Sequence, residues 1–199
     1  MINLKESLDQ FTAPVYGKTK RTADTYQTVA NYCRRNLVRL VADYHAVEND
    51  QQLLREIRND IDTYLRRYHE YCIQQRDGMK AHYHEVGADE DCDFEHLIPA
   101  ARIRDLLLAS AISVEQALNA PTVRLSRAKH MALKEAGWAS ATPDMWQPFR
   151  RYTQVFDATY ETHDGTVINP DTWTLQQHFD YFKHLVLKKV ILKYYFRPG

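Results

Sequence analysis

Cysteine is scarce in this chain: three in 199 residues, at positions 33, 72 and 92, too scattered for a disulfide framework or a CxxC zinc pair. Free thiols suit a reducing compartment, so a cytoplasmic setting is expected. Six glycines and seven prolines exclude collagen-like and linker-type chains. An excess of one charge is also missing. Lys plus Arg and Asp plus Glu each number 26, so the formal net charge is zero. That excludes a basic nucleic-acid coat or a long acidic tail, and any charged site is local. No long hydrophobic run exists. The most apolar stretch, Leu185–Phe196, is broken by Lys188, Lys189 and Lys193 and is too short to span a bilayer, so no membrane partner is expected. Met1–Phe11 carries Lys5, Glu6 and Asp9 and lacks the apolar centre of a secretory signal. What is present is 44% apolar residues, enough for a core, together with 13 Tyr and 9 His, polar-tipped rings that suit half-buried faces and sites.

The pattern predicts a mainly α, α+β protein. From Thr22, a good N-cap, apolar residues recur at Tyr26, Val29, Cys33, Leu37, Leu40 or Val41 and Tyr44, one stripe on a long helix. Asn49 with Gln52 three residues later reads as a capping-box variant that starts a second helix. Its stripe is Leu54, Ile57, Ile61, Leu65, Tyr68 and Cys72, and Asp77-Gly78 supplies the stop. Residues 1–80 thus form a helical hairpin region. Its opposite faces, with Arg34, Arg35, Arg55, Arg58, Arg66 and Arg67, read as solvated.

Residues 81–199 have a different character and are expected to form one compact unit with a helical C-terminal extension. Cys92–Ile98 reads as a short strand ended by Pro99, Ala100–Ser110 as a helix, and Ser113–Leu118 as a second helix opened by a capping box. Thr122–Leu125 alternates like a strand, and Ser126 and Gly137 bracket a helix over Arg127–Ala136. A helix over Asp144–Phe156, broken or kinked at Pro148, a β-hairpin near 160–168 and a final helix opened by Thr174-x-x-Gln177 follow. His82 and His84, two residues apart, cannot share a helix face; on an extended segment they can.

The chemistry-bearing residues cluster between 94 and 137. In Glu95-His96-Leu97-Ile98-Pro99 a carboxylate stands beside an imidazole at a strand end. Glu95 can bind a divalent cation while His96, facing the other side, deprotonates a water for attack on phosphorus. His130, on the helix after the next strand, can close the metal site, and Asp91 or Asp93 can add a ligand. A mixed O/N site of this kind suits Mg²⁺, Mn²⁺ or Zn²⁺. Arg124, Arg127, Lys129 and Lys134 lie beside it and can hold phosphates. Between residues 98 and 151 there are eight Lys/Arg against four Asp/Glu, so this part is locally basic in a neutral chain.

This order of pieces resembles the HNH, or ββα-metal, nuclease family, and the 94–137 segment is similar to small HNH-like proteins encoded by bacteriophages. Glu95-His96-Leu97-Ile98-Pro99 matches the family's first element, where the two polar places are metal ligand and general base. The resemblance implies a ββα unit over about 92–137, with His96 as base, Asn119 at the middle place where the family's Asn steadies the loop, and His130 as ligand on the closing helix with Lys134 after it. Asn119 lies 23 residues beyond His96, which requires a helical insertion at 100–118. The implied activity is hydrolysis of DNA phosphodiester bonds with a divalent metal. Two other readings stand beside it: a non-catalytic helical phage protein that binds or inhibits a host protein, and a virion or assembly component that self-associates through the N-terminal helices.

Overall fold

The computed structural model describes residues 23–74, 80–88 and 91–187. The expected cap at Thr22, the Asp77-Gly78 stop, the acidic pair Asp89 and Glu90 and the stretch from Lys188 onward lie outside them. The chain is an α+β protein: helices dominate, and one small sheet lies among them. Helices α1 (Ala23–Ala46) and α2 (Gln51–Tyr68) pack on each other across the connection 47–50. The expected stripes are largely the packed ones; Leu54 stays outside the core, and the side chain of Tyr26 lies outside the described residues. Val29, Cys33, Leu37 and Leu40 meet Ile57, Ile61, Leu65, Tyr68 and Cys72 in one core that also takes Ile98, Leu107 and Phe179 from later elements. Truncating a fully buried residue such as Ile61 or Leu65 to Ala removes about 2–5 kcal/mol.

The start of α2 differs by one residue from the sequence expectation. Asp50, not Asn49, is the N-cap, its Oδ1 accepting from Leu53 N at 2.9 Å. A carboxylate there meets both an orphan N–H and the positive end of the helix dipole. Beyond Tyr68 the helix widens into a π-helical turn, His69–Gln74, which periodicity does not reveal. The arginines read as a solvated face partly bridge elements instead. Arg34 pairs with Glu115 at 2.6 Å and Arg58 with Asp105 at 2.7 Å, while Arg104 reaches back to Asp62 at 2.6 Å.

From Cys92 the middle of the chain follows the expected order, and a strand that the sequence did not assign precedes it. Strands β1 (Tyr83–Glu85) and β2 (Cys92–His96) come first. Helices α3 (Ala100–Leu108) and α4 (Val114–Leu118) then precede β3 (Thr122–Ser126) and α5 (Arg127–Glu135). The capping box at α4 is complete: Gln116 N donates to Ser113 Oγ at 3.1 Å, and Ser113 N donates to Gln116 Oε1 at 2.8 Å. Strands β4 (Tyr160–Thr162) and β5 (Val167–Ile168) form the expected hairpin, and α7 (Leu175–Leu187) closes the described chain. The helix expected over 144–156 shrinks to the single turn α6 (Arg150–Thr153). Pro148 has no N–H to give, and Trp146 N is captured by Asp144 Oδ1 at 2.8 Å, so the backbone before it turns rather than coils.

The two strand elements read as separate are one five-stranded sheet, in the order β2-β3-β1-β4-β5. β1 joins them, parallel to β3 and antiparallel to β4; it contains His84 of the extended alternative. β2 and β3 are antiparallel, with Glu95 opposite Val123 and His96 opposite Thr122. Alternation therefore sends Tyr83, Glu85, Glu95, Val123, Leu125 and Tyr160 to one face, and Phe94, His96, Thr122 and Arg124 to the other. The first face packs on Leu133 of α5 and on Phe149 and Tyr152. On the second, Phe94 packs against the core of the helical hairpin.

Candidate metal and base site

Glu95 and His130 meet between β2 and α5. Glu95 Oε2 lies 3.3 Å from His130 Nδ1, and only 17% and 14% of the two side chains are exposed. The pair forms because β3 runs directly into α5, whose fourth residue is His130, while antiparallel pairing lays Glu95 beneath that first turn. Glu85 fixes the same turn: its carboxylate accepts from Ser126 N at 2.8 Å and from Lys129 Nζ at 2.7 Å. Burial opposes this charge, but Lys129 and the Ser126 N–H together hold the Glu85 carboxyl below its ordinary range. Ser126 is thus the N-cap residue in place, yet its side chain does not cap its own helix and its N–H anchors on Glu85.

Sequence reasoning missed Arg151. Its side chain is completely buried, and it donates to Glu95 Oε1 at 2.7 Å, to Trp138 O at 2.7 Å, to Tyr152 Oη at 3.0 Å and to His96 O. One guanidinium thereby ties down one oxygen of Glu95 and the backbone of the next residue, leaving Oε2 to face His130. Nothing in the Arg150-Arg151 dipeptide marks the second as buried; only the fold selects it.

His130 Nδ1 is buried and makes no hydrogen bond, and Arg151 Nε is a second buried polar atom in the same condition. At 3.3 Å the His130–Glu95 contact lies within ion-pair distance without hydrogen-bond geometry. Two ligands that share a cation at roughly 2.0–2.2 Å stand about 3.0–3.4 Å apart, so the separation fits a shared metal. The donor set, one imidazole nitrogen and one carboxylate oxygen, suits Zn²⁺ or Mn²⁺ and also Mg²⁺. Among the described residues no group of three or more His, Cys, Asp and Glu comes together. Among the described residues Glu95 and His130 would be the two protein ligands, with water or phosphate oxygens completing the shell. The acidic residues expected to help are engaged elsewhere: Asp91 pairs with Arg127 at 2.9 Å and Asp93 lies 4.0 Å from it.

His96 leaves the opposite face of β2, as adjacent strand residues must. Its Nε2 lies 2.8 Å from Nδ1 of His69 in the π-helical turn, and His69 Nε2 lies 3.2 Å from Ala117 O. Burial depresses His69 to about 4. His96 is held well below its ordinary value by burial first, then by His69, Arg66 and Arg151 nearby. Both rings are neutral at pH 7. The apolar stripe carries the signal that finds His69: it continues Ile57, Ile61 and Leu65 at the same spacing of four.

Asn119 is not brought to this pair by any hydrogen bond. Its Oδ1 accepts from His82 Nε2 at 3.0 Å and its Nδ2 donates to Phe182 O at 3.2 Å, both buried. The residue stitches the α4–β3 junction to β1 and α7. Arg124 is half-buried on the His96 face of β3, whereas Arg127, paired with Asp91, and Lys134 are exposed on α5. The phosphate-binding set read from the sequence is thus split between the two faces.

No described helix is long and apolar enough to cross a membrane. Comparison of the whole chain with protein-family models, with curated proteins and with solved structures finds no match.

Proposed function

We propose that the chain is a metal-dependent endonuclease of the HNH type that hydrolyses DNA phosphodiester bonds. The observation that carries the reading is the meeting of Glu95 and His130 at 3.3 Å between an antiparallel strand pair and the helix that follows, with His130 Nδ1 buried and lacking a hydrogen bond. A burial of that kind costs about 1–3 kcal/mol unless something satisfies the nitrogen. Glu95 and His130 would hold a divalent cation, which when bound would neutralise a non-bridging phosphate oxygen and stabilise the departing 3′ oxygen. Arg151 holds Glu95 so that Oε2 stays aimed at His130. His96, neutral, takes a proton from the attacking water as the new P–O bond forms and the P–O3′ bond breaks; the leaving oxygen is protonated by solvent. Arg124, Arg127 and Lys134 contact phosphates and read no bases, so cleavage is salt-sensitive and weakly sequence-selective.

Plasmid nicking with Mg²⁺ or Mn²⁺ tests this. His96→Ala is expected to lose 10²–10⁴-fold in rate, the usual cost of removing a general base, while DNA binding is nearly unchanged. Glu95→Ala is expected to lose activity and regain part of it at high metal. A second reading is a non-catalytic binding module that keeps the ββα unit as structure, favoured by the exit of Glu95 and His96 from opposite faces of β2. Wild-type protein that neither cuts nor binds DNA under any divalent metal decides for it.

A further inference from the structure

We propose that His69 is the positioning residue that fixes the tautomer of His96, so that the nitrogen offered to water is Nδ1. The proposal rests on the nuclease reading for its use, and on hydrogen-bond logic for its content. Ala117 O can only accept, so the proton at its contact with His69 is on His69 Nε2. A neutral imidazole carries one N–H, which leaves His69 Nδ1 as an acceptor. Its partner 2.8 Å away, His96 Nε2, must then donate. A neutral His96 so protonated has its lone pair on Nδ1, and among the described residues no group hydrogen-bonds that atom. It is not one of the buried atoms left without a partner either, and His96 itself is half-buried rather than enclosed.

The chain Ala117 O, His69, His96 also orients the ring. His69 is completely buried in the π-helical turn, and the two rings stand 4.9 Å apart, centroid to centroid. A wider turn is a common way to aim a side chain at a functional site. Outer partners of this kind matter elsewhere in the same currency: a second residue that fixes an imidazole's tautomer is typically worth 10–100-fold. The helical hairpin thereby supplies a part of the site that the 92–137 unit lacks.

The test combines a spectrum with kinetics on the full chain. With ¹⁵N-labelled histidine at neutral pH, long-range ¹⁵N–¹H correlations are expected to show His96 with a pyrrole-type Nε2 and a pyridine-type Nδ1, and His69 likewise. His69→Asn keeps an acceptor at the place of Nδ1, and is expected to keep this pattern and to nick plasmid within about threefold of wild type. His69→Phe keeps the ring volume but removes the acceptor; His96 should become a tautomer mixture, with kcat down about 10–100-fold and KM for DNA unchanged. An active wild-type enzyme whose His96 is protonated on Nδ1 overturns the role of His69 alone, and needs no variant to fold. Equal losses in the Asn and Phe variants also overturn it. A wild type inactive with every divalent metal overturns the nuclease reading, and the positioning role falls with it.

Discussion

Two buried polar clusters lie on this small sheet, and they are built to opposite specifications. Around Asn119 every partner is matched. His82 Nε2 donates to Asn119 Oδ1, Thr122 engages His82 Nδ1 at 2.9 Å, and His178 donates to Asn119 O at 2.6 Å. His178 accepts in turn from Tyr83 Oη at 2.8 Å, and Trp173 Nε1 closes the chain on that hydroxyl at 2.7 Å. Around Glu95, by contrast, His130 Nδ1 and Arg151 Nε are buried without a hydrogen bond. A polar network with every group satisfied specifies and stiffens a core. One left incomplete has room in its bonding for a guest. The Asn119 cluster is closed on itself and the Glu95 cluster is where the proposed cation would sit, although the sequence presents both as the same kind of polar residue.

Acid should break the first cluster hardest. Burial holds His178 near 3 and His82 well below its ordinary 6.5. Each is neutral when folded and charges when unfolded, so the unfolded state binds more protons below about pH 6.5. Their contribution to stability is complete above that pH and drains away as pH falls toward 4, at about 1.4 kcal/mol per pH unit for each histidine. Urea midpoints measured from pH 7.5 to 4.5 check this; a flat profile would contradict the buried neutral assignment.

Next comes the guanidinium. Arg151→Met leaves Glu95 as a half-paired buried charge and is expected to cost about 3–5 kcal/mol. Added Mn²⁺ should restore part of that in the variant, because a cation takes over the neutralising role. Asn119→Leu should cost about 1–3 kcal/mol for each of the two partners it strands, His82 Nε2 and Phe182 O, with no response to metal. The smallest effect sharpens the contrast most. At ten times its dissociation constant a bound cation stabilises the wild type by about 1.4 kcal/mol. That shift in thermal midpoint should vanish in Glu95→Gln and His130→Ala and persist in Asn119→Leu, measured as variant minus variant plus Mn²⁺.

Local chemistry made much of the fold legible. The stripes of α1 and α2 are repeated apolar spacing, the α4 capping box is a four-residue signal, and Gly137 ends the α5 region at φ +80, a backbone state that costs a glycine little. The hairpin near 160–168 was legible for the same reason, since His163-Asp164-Gly165 is a local turn signal. The missing helix over 144–156 shows the limit: apolar spacing was present, but Pro148 and the Asp144 side chain outcompeted it.

The candidate site divides along the same line. Glu95-His96 and the helix bearing His130 could be found from the chain, because strand, cap and helix are near-neighbour phenomena. Three things had to wait for tertiary structure. β1 inserts between β3 and β4, which a three-residue strand cannot announce on its own, and so makes two pieces one sheet. Arg151 reaches Glu95 across 56 positions and His69 reaches His96 across 27, pairings that no periodicity encodes. Asn119 looks like a site residue in sequence and becomes a structural junction once His82 and Phe182 close on it. Sequence by itself determined most of the helices and their apolar faces, since those depend on a few neighbouring side chains. Tertiary structure alone decided which polar groups are satisfied and which are left open, because a hydrogen bond between distant residues exists only after the core has brought them together.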